Sequence, residues 1–207
     1  RNDGKRRGRM ISYYEEVFEV IRDSIESIDE KTYDELVDQC EETVRKGHKI
    51  IASGLGKNVP ICEKFVGTLN SLGIDARFLH TNTAVHGDLG MVGKDDLVIL
   101  LSKGGNTVET VALAEYLKER GTNTWLFAFA EKCKSAEVVE QRLILRLKEE
   151  GDEWNIVPNN STTVNLIVLQ GIAIELGKRL GVTLDDFRVN HPGGGIGARL
   201  RGEQIWK

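Results

Sequence analysis

At 207 residues, with 40% hydrophobic side chains and 22 glycines against 3 prolines, the chain has the length and composition of one globular domain with many tight turns and few rigid linkers. A net charge of −4, with basic residues scattered apart from the terminal cluster Lys5, Arg6, Arg7 and Arg9, argues against a nucleic-acid partner. The three cysteines, Cys40, Cys62 and Cys133, have no C-x-x-C spacing, and no apolar run approaches the ~18 residues of a membrane span. Neither a disulfide framework, a zinc knuckle nor a membrane partner is expected, and the protein reads as cytoplasmic.

Residues 1 to 9, ahead of the candidate initiator Met10, read as an N-terminal arm or a vector-derived remnant, and residues 10 to 207 as a single domain. From Ile11 to Ile28 the residues Tyr14, Val17, Phe18, Ile21, Ile25 and Ile28 recur at helical spacing. A second amphipathic helix is expected from Asp29 to Arg45, stopped by Gly47. Two helices ahead of the first strand either lie on the sheet or pack against another subunit.

A strand from His48 to Ser53 runs into the turn Gly54-Leu55-Gly56-Lys57, and a helix capped by Asn58, with Pro60 in its first turn, reaches Leu72. A strand from Ala76 to His80 is followed by a polar loop, Thr81 to Gly93. The apolar run Leu97 to Leu101 then gives a strand that ends at Ser102 and passes through Gly104 and Gly105 into a helix reaching Arg120. A further strand (Asn123 to Phe129), a short helix (Ser135 to Glu140) and a closing strand (Leu143 to Leu147) follow. The loop Glu149 to Pro158 leads into a long helix, Ser161 to Leu180, and a tail holding Asn190-His191-Pro192-Gly193-Gly194-Gly195.

Strands alternating with helices at this spacing predict an α/β fold, a three-layer sandwich with a five-stranded, mainly parallel sheet. Ligands in such sheets bind beyond the carboxyl ends of the strands, where Ser53 to Lys57 and Ser102 to Asn106 both fall. The second of these turns gathers backbone N–H groups at a helix start, and its glycines let an anion approach the main chain. It has neither the G-x-G-x-x-G of a dinucleotide site nor the Gly-Lys-Ser/Thr of a P-loop, so the expected anion is a single phosphoryl group, such as that of a sugar phosphate.

Four other residues carry candidate chemistry. Glu150 lies beside Glu149 and Asp152, which would raise its pKa if close, or it belongs to a solvated acidic loop. Glu109, three after Asn106, has the spacing of a capping box. His191 precedes a proline and three glycines, a turn able to deliver an imidazole across a subunit boundary, or is a solvated loop histidine. Lys57 is a charge for an oxyanion or phosphate, or a surface lysine. His86 and Asp88 offer two metal ligands without a third, and no metal is expected.

Together, Gly54-Leu55-Gly56-Lys57, His86-Gly87-Asp88-Leu89-Gly90-Met91, Ser102 with Glu109, Ser161-Thr162-Thr163 and His191-Pro192-Gly193-Gly194 make the chain resemble the sugar isomerase (SIS) domain family. Within it, the resemblance is to the arabinose-5-phosphate isomerases, over residues 30 to 200. It implies a Rossmann-like or flavodoxin-like SIS domain, in the short form without regulatory CBS modules or as an excised domain. By resemblance, the catalytic set is Lys57, Glu109, Glu150 and His191. Substrate and phosphate contacts would come from Ser53, Gly54, Gly56 and His86, from Ser102, Lys103, Gly104, Gly105, Asn106 and Thr107, and from Ser161.

The implied reaction is aldose–ketose isomerisation of D-arabinose 5-phosphate through an enediolate, which needs acid/base groups and no cofactor. A homotetramer with sites shared between subunits is implied as well. Where the family usually has Ser-x-Ser-Gly-Glu, this chain has Ser102-Lys103-Gly104-Gly105-Asn106, so main-chain amides and the Lys103 charge are expected to replace the lost groups. Its Gly-Lys-Asn first turn and the loop Gly151 to Asn155 also depart from the family pattern. Two alternatives follow: an isomerase of another sugar phosphate, such as a hexulose 6-phosphate, or a non-catalytic regulator that binds a sugar phosphate or sugar nucleotide.

Overall fold

The computed structural model describes residues 3–203, and the side chains of the basic cluster Lys5, Arg6, Arg7 and Arg9 lie outside the described residues. The elements in order are α1 (Asp3–Glu26), α2 (Glu30–Arg45), β1 (Ile50–Gly54), α3 (Asn58–Ser71), β2 (Ala76–His80), α4 (Thr81–Ala84) and a 3₁₀ turn (Asp88–Met91). Then come β3 (Leu97–Leu101), α5 (Val108–Glu119), β4 (Asn123–Ala128), α6 (Lys134–Val138), β5 (Gln141–Ile144), α7 (Asn160–Arg179), α8 (Leu184–Asn190) and α9 (Gly194–Leu200). The first helix thus begins at Asp3 rather than Ile11. The expected loop from Thr81 holds two short helical turns, and the expected tail two short helices.

All neighbouring strands are parallel, in the order β2-β1-β3-β4-β5. Side-chain alternation assigns the two faces. Leu97, Ile99 and Leu101 of β3 pack with α2, α3 and α7, while Val98 and Leu100 pack with Leu113, Ala114 and Leu117 of α5. Both faces are covered, so β1 and β3 are buried throughout and read as continuous apolar runs. α1 packs on α7 and joins the core of that face through Val17, Ile21 and Ile25, while Met10, Ile11, Tyr14 and Phe18 stay exposed.

Local signals explain the ends. Asp29 caps α2 by accepting the Thr32 amide at 2.8 Å, and Gly47 leaves that helix at φ +81°. Thr183 and Asp186 form a reciprocal capping box at α8. Buried Asp96 accepts the amides of Lys49 (2.9 Å) and Gly93 (2.6 Å) and pairs with the Lys49 ammonium at 2.7 Å, tying the amino ends of β1 and β3.

The closing strand is Gln141–Ile144, not Leu143 to Leu147. Leu143 and Leu145 are buried as the alternation requires, but β5 pairs from Trp125↔Gln141 to Ala128↔Ile144, and the Arg146 amide turns to the Ser27 hydroxyl at 3.2 Å. Gln141 and Arg142 join the ladder through their main chain, which hydrophobic periodicity does not register.

Candidate functional site

β1 crosses to β2 through α3 on one face, and β3 crosses to β4 through α5 on the other. The two connections diverge at the adjacent carboxyl ends of β1 and β3, which opens a crevice at the point where strand order reverses. A cleft of about 260 Å³ lies there, lined by Gly56, Lys57 and Asn58, by Ser102, Lys103, Gly104, Thr107 and Thr110, and by Pro158, Ser161 and Thr162 of the segment entering α7.

The first wall is shaped by two glycines. A Cβ at Gly54 would lie 2.9 Å from the Asn58 Cβ, so glycine lets α3 start directly above β1, and Gly56 turns the chain at φ +55°. Lys57, not Asn58, takes the N-cap position of α3, without a side-chain cap bond and with an exposed side chain. Asn58 is the first helical residue, and its Oδ1 accepts from Asn165 Nδ2 of α7 at 3.2 Å.

In the second wall, residues divide between anchoring and presentation. Gly105 sits at φ +63°, where a Cβ would overlap Cys133 Sγ, and its carbonyl accepts the Ser135 amide at 2.9 Å. Asn106 Oδ1 accepts the Lys134 amide at 2.9 Å. Both hold the turn to the connection between β4 and α6 and stand back from the cleft. Gly104 faces open space, and Thr107 is the N-cap of α5 with no side-chain cap bond. The buried Ser102 and the N-cap Thr107 therefore line the cleft where the first amides of α5 lack helical partners, an arrangement able to take an anion. The capping box expected between Asn106 and Glu109 does not form, because Asn106 is engaged by Lys134; Glu109 is exposed in the first turn of α5, outside the lining.

Glu150 lies beneath the cleft, fully buried. Its Oε1 accepts the Ser161 hydroxyl at 2.7 Å and meets the Lys103 ammonium at 2.5 Å; its Oε2 accepts the amides of Asn159 (3.0 Å) and Ser161 (2.9 Å). Burial pushes the carboxyl up, but the Lys103 ammonium, the Ser161 amide and hydroxyl and the Asn159 amide outweigh it and hold Glu150 below the usual Glu range. This is opposite in direction to the rise expected from neighbouring acids. Asp152 folds back onto its own loop, accepting the amides of Trp154, Ile156 and Val157, and does not bear on Glu150.

Three expected residues fall elsewhere. Ser53 is buried within β1 with its hydroxyl 2.8 Å from that of Thr81, so it braces α4. His86 is exposed between α4 and the 3₁₀ turn, and Asp88 accepts the Thr83 hydroxyl at 2.6 Å. Among the described residues no group of three or more His, Cys, Asp or Glu side chains is arranged to hold a metal ion. His191 follows α8, stacked on Phe187 at 3.9 Å between ring centroids, and the adjacent Asn190 Nδ2 donates to Ser71 O at 3.3 Å, at the carboxyl end of α3. Lys57 sits at the other end of that 14-residue helix, on the order of 20 Å away.

Sequence reasoning missed Asn159 and Thr110. Asn159 anchors Glu150 twice, through its own amide and through Nδ2 to the Glu150 carbonyl at 3.0 Å, and Asn155, at φ +55°, accepts the Glu150 amide at 2.7 Å. The run of asparagines ahead of α7 was the available signal, since asparagine suits both helix starts and left-handed turns.

Comparison with known proteins bears on the fold and the family. The SIS domain model matches residues 43–176. Arabinose 5-phosphate isomerase KdsD of Pseudomonas aeruginosa is 34% identical over 179 residues, covering 86% of this chain and 55% of that protein. The KdsD of Salmonella typhi is 31% identical over 185 residues, covering 89% and 56%. The chain thus spans about half the length of the curated relatives it matches. The c3406 protein of Escherichia coli CFT073, solved in complex with arabinose 5-phosphate, superposes with a TM-score of 0.85 at 29% identity, covering 93% of this chain and 100% of that one. No helix among the described residues is long and apolar enough to cross a membrane. A five-stranded parallel sheet with its crevice at the β1/β3 reversal, carried by a sequence that fits the family over residues 43–176, places the chain in the SIS domain family.

Proposed function

We propose that the chain is a phosphosugar aldose–ketose isomerase acting on D-arabinose 5-phosphate and D-ribulose 5-phosphate. The observation that carries this is the juxtaposition of a cleft lined by the start of α5 with the buried Glu150 behind it, held by Lys103 and Ser161 of that lining. In this reading, the phosphate rests on Ser102, Thr107 and the α5 amides, which fixes the sugar with its carbonyl end toward Glu150. Glu150 takes the proton from the carbon beside the carbonyl and returns it to the neighbouring carbon, while Lys57 steadies the enediolate oxygen. Similarity to the KdsD relatives and to the neighbour solved with arabinose 5-phosphate supports the substrate.

The remaining acid/base role is assigned to His191 of another subunit, since α3 separates His191 from the cleft of its own chain. The apolar residues left exposed on α1 and α7, Phe18, Ile167 and Ile174 among them, fit subunit contacts, and we read the assembly as a homotetramer. Three free, buried thiols fit a reducing cytoplasm.

One observation favours a binding-only rival: four donors on Glu150 leave it a weak base. A panel of pentose and hexose phosphates, assayed for turnover and for melting temperature, separates the two. Arabinose 5-phosphate should turn over fastest. A panel in which one sugar phosphate raises the melting temperature and none turns over gives the site to a sensor.

A further inference from the structure

Lys103 is the residue next to Ser102 in the anion turn, yet its ammonium is engaged downward, 2.5 Å from Glu150 Oε1. The side chain is 44% exposed and lines the same cleft as Ser102, Gly104 and Thr107, while its carbonyl is pinned by the Phe129 amide at 2.9 Å. Its base is therefore fixed beside the anion seat, and a flexible four-carbon stem carries the charge. The other three donors to Glu150, the Ser161 amide and hydroxyl and the Asn159 amide, are neutral groups at the start of α7. Among the described residues Lys103 is the only cation paired with that carboxylate.

We propose that Lys103 is a positioning residue shared between Glu150 and the anion seat: a dianion bound at the start of α5 draws the ammonium off Glu150, and the carboxylate becomes the stronger base as the site fills. A dianion offers the ammonium twice the charge that Glu150 does. Glu150 does not move when Lys103 leaves, because its three neutral donors remain. The base is thereby muted until a phosphorylated ligand is seated, and then released. That the natural dianion is a sugar phosphate rests on the isomerase reading above; the coupling itself does not.

Among the described residues, charged and titratable groups on the elements packed about Glu150 include Lys103 and Lys57 at the cleft, Glu149 and the inwardly bonded Asp152 on its own loop, and Tyr13 and Glu16 of α1, which border that loop. Exchanging Lys103 isolates its share from theirs. Coupling is also reciprocal: if an anion raises the basicity of Glu150, protonating Glu150 must tighten the anion by the same factor.

The test is a carbon-13 carboxyl titration of the full chain, with the Glu150 resonance assigned by its loss in Glu150→Gln, with and without saturating sulfate, which stays dianionic across the range. Sulfate should raise the Glu150 midpoint by roughly 1 pH unit and bind roughly tenfold tighter below that midpoint than above it. Lys103→Met should start with a raised midpoint that sulfate moves far less, and Lys103→Arg should restore the parent behaviour. A parent midpoint indifferent to sulfate, or an equal sulfate shift in Lys103→Met, overturns the coupling. Failure of sulfate to perturb the amides of Ser102 to Thr107 overturns the seat and the coupling together. Because the parent's own reciprocity is measured without turnover, a chain inactive on every sugar phosphate would sink the isomerase reading and leave this result standing.

Discussion

Ser161→Ala removes one of four donors from a buried carboxylate, and the structure sets the size of the effect. Ser161 Oγ lies 2.7 Å from Glu150 Oε1, and both residues are buried. A hydrogen bond to a charged group contributes about 1.5–3 kcal/mol, and because the Lys103 ammonium and the amides of Asn159 and Ser161 remain, a cost of about 2 kcal/mol is expected at pH 7. The cost should depend on pH. Glu150 has its folded-state pKa held below the usual Glu value, so its contribution to stability is complete above the unfolded pKa and is lost as pH falls through the folded one. Deleting a donor moves the folded pKa back up toward the ordinary Glu value, so the cost should shrink toward that of a neutral hydrogen bond once Glu150 is protonated. Urea unfolding at fixed protein concentration from pH 7 to pH 3 reads this directly: about 2 kcal/mol against a slope of roughly 2 kcal/mol/M moves the midpoint by about 1 M at neutral pH. In a Glu150→Gln background the same change should cost only a neutral bond, about 1 kcal/mol. A cost that is constant down the acid range, or equal in the two backgrounds, would refute the account of Glu150 as a buried, ionised anchor.

Thr107→Val and Gly104→Pro should raise KM for a sugar phosphate with a smaller loss of kcat, as removal of uniform binding does; an unchanged KM in both puts the phosphate away from the start of α5. Glu150→Gln and His191→Ala should each lower kcat by roughly 10²–10⁴-fold, and the two inactive chains should recover activity when refolded together, because each mixed oligomer can hold a cleft with one intact Glu150 and a partner's intact His191. Mixtures that assemble yet stay inactive would return His191 to a structural role beside Phe187.

What was legible in the sequence was whatever depends on neighbours a few residues away. The apolar run of β3, the glycine that stops α2 and the glycine turn at positions 54 and 56 each act through local packing or backbone conformation, and from such signals the parallel sheet and its carboxyl-end crevice follow. Asn106 and Glu109 show where this stops. Their spacing suits a capping box, but the fold brings the Lys134 amide to Asn106, and the better-placed Thr107 takes the cap while keeping its hydroxyl for the cleft. Glu150 shows the same limit in electrostatics. Its sequence neighbours are acids, which would raise its pKa, whereas its neighbours in space are the Lys103 ammonium and the first amides of α7. His191 carries the argument furthest. A histidine followed by Pro192 and three glycines has the local signature of a mobile delivery loop, yet it closes α8 against the carboxyl end of α3, stacked on Phe187 with Nδ1 3.0 Å from that residue's carbonyl. The helix whose amino end presents Lys57 to the cleft carries His191 at its other end, so the catalytic part we propose for His191 would be played in the cleft of a second chain.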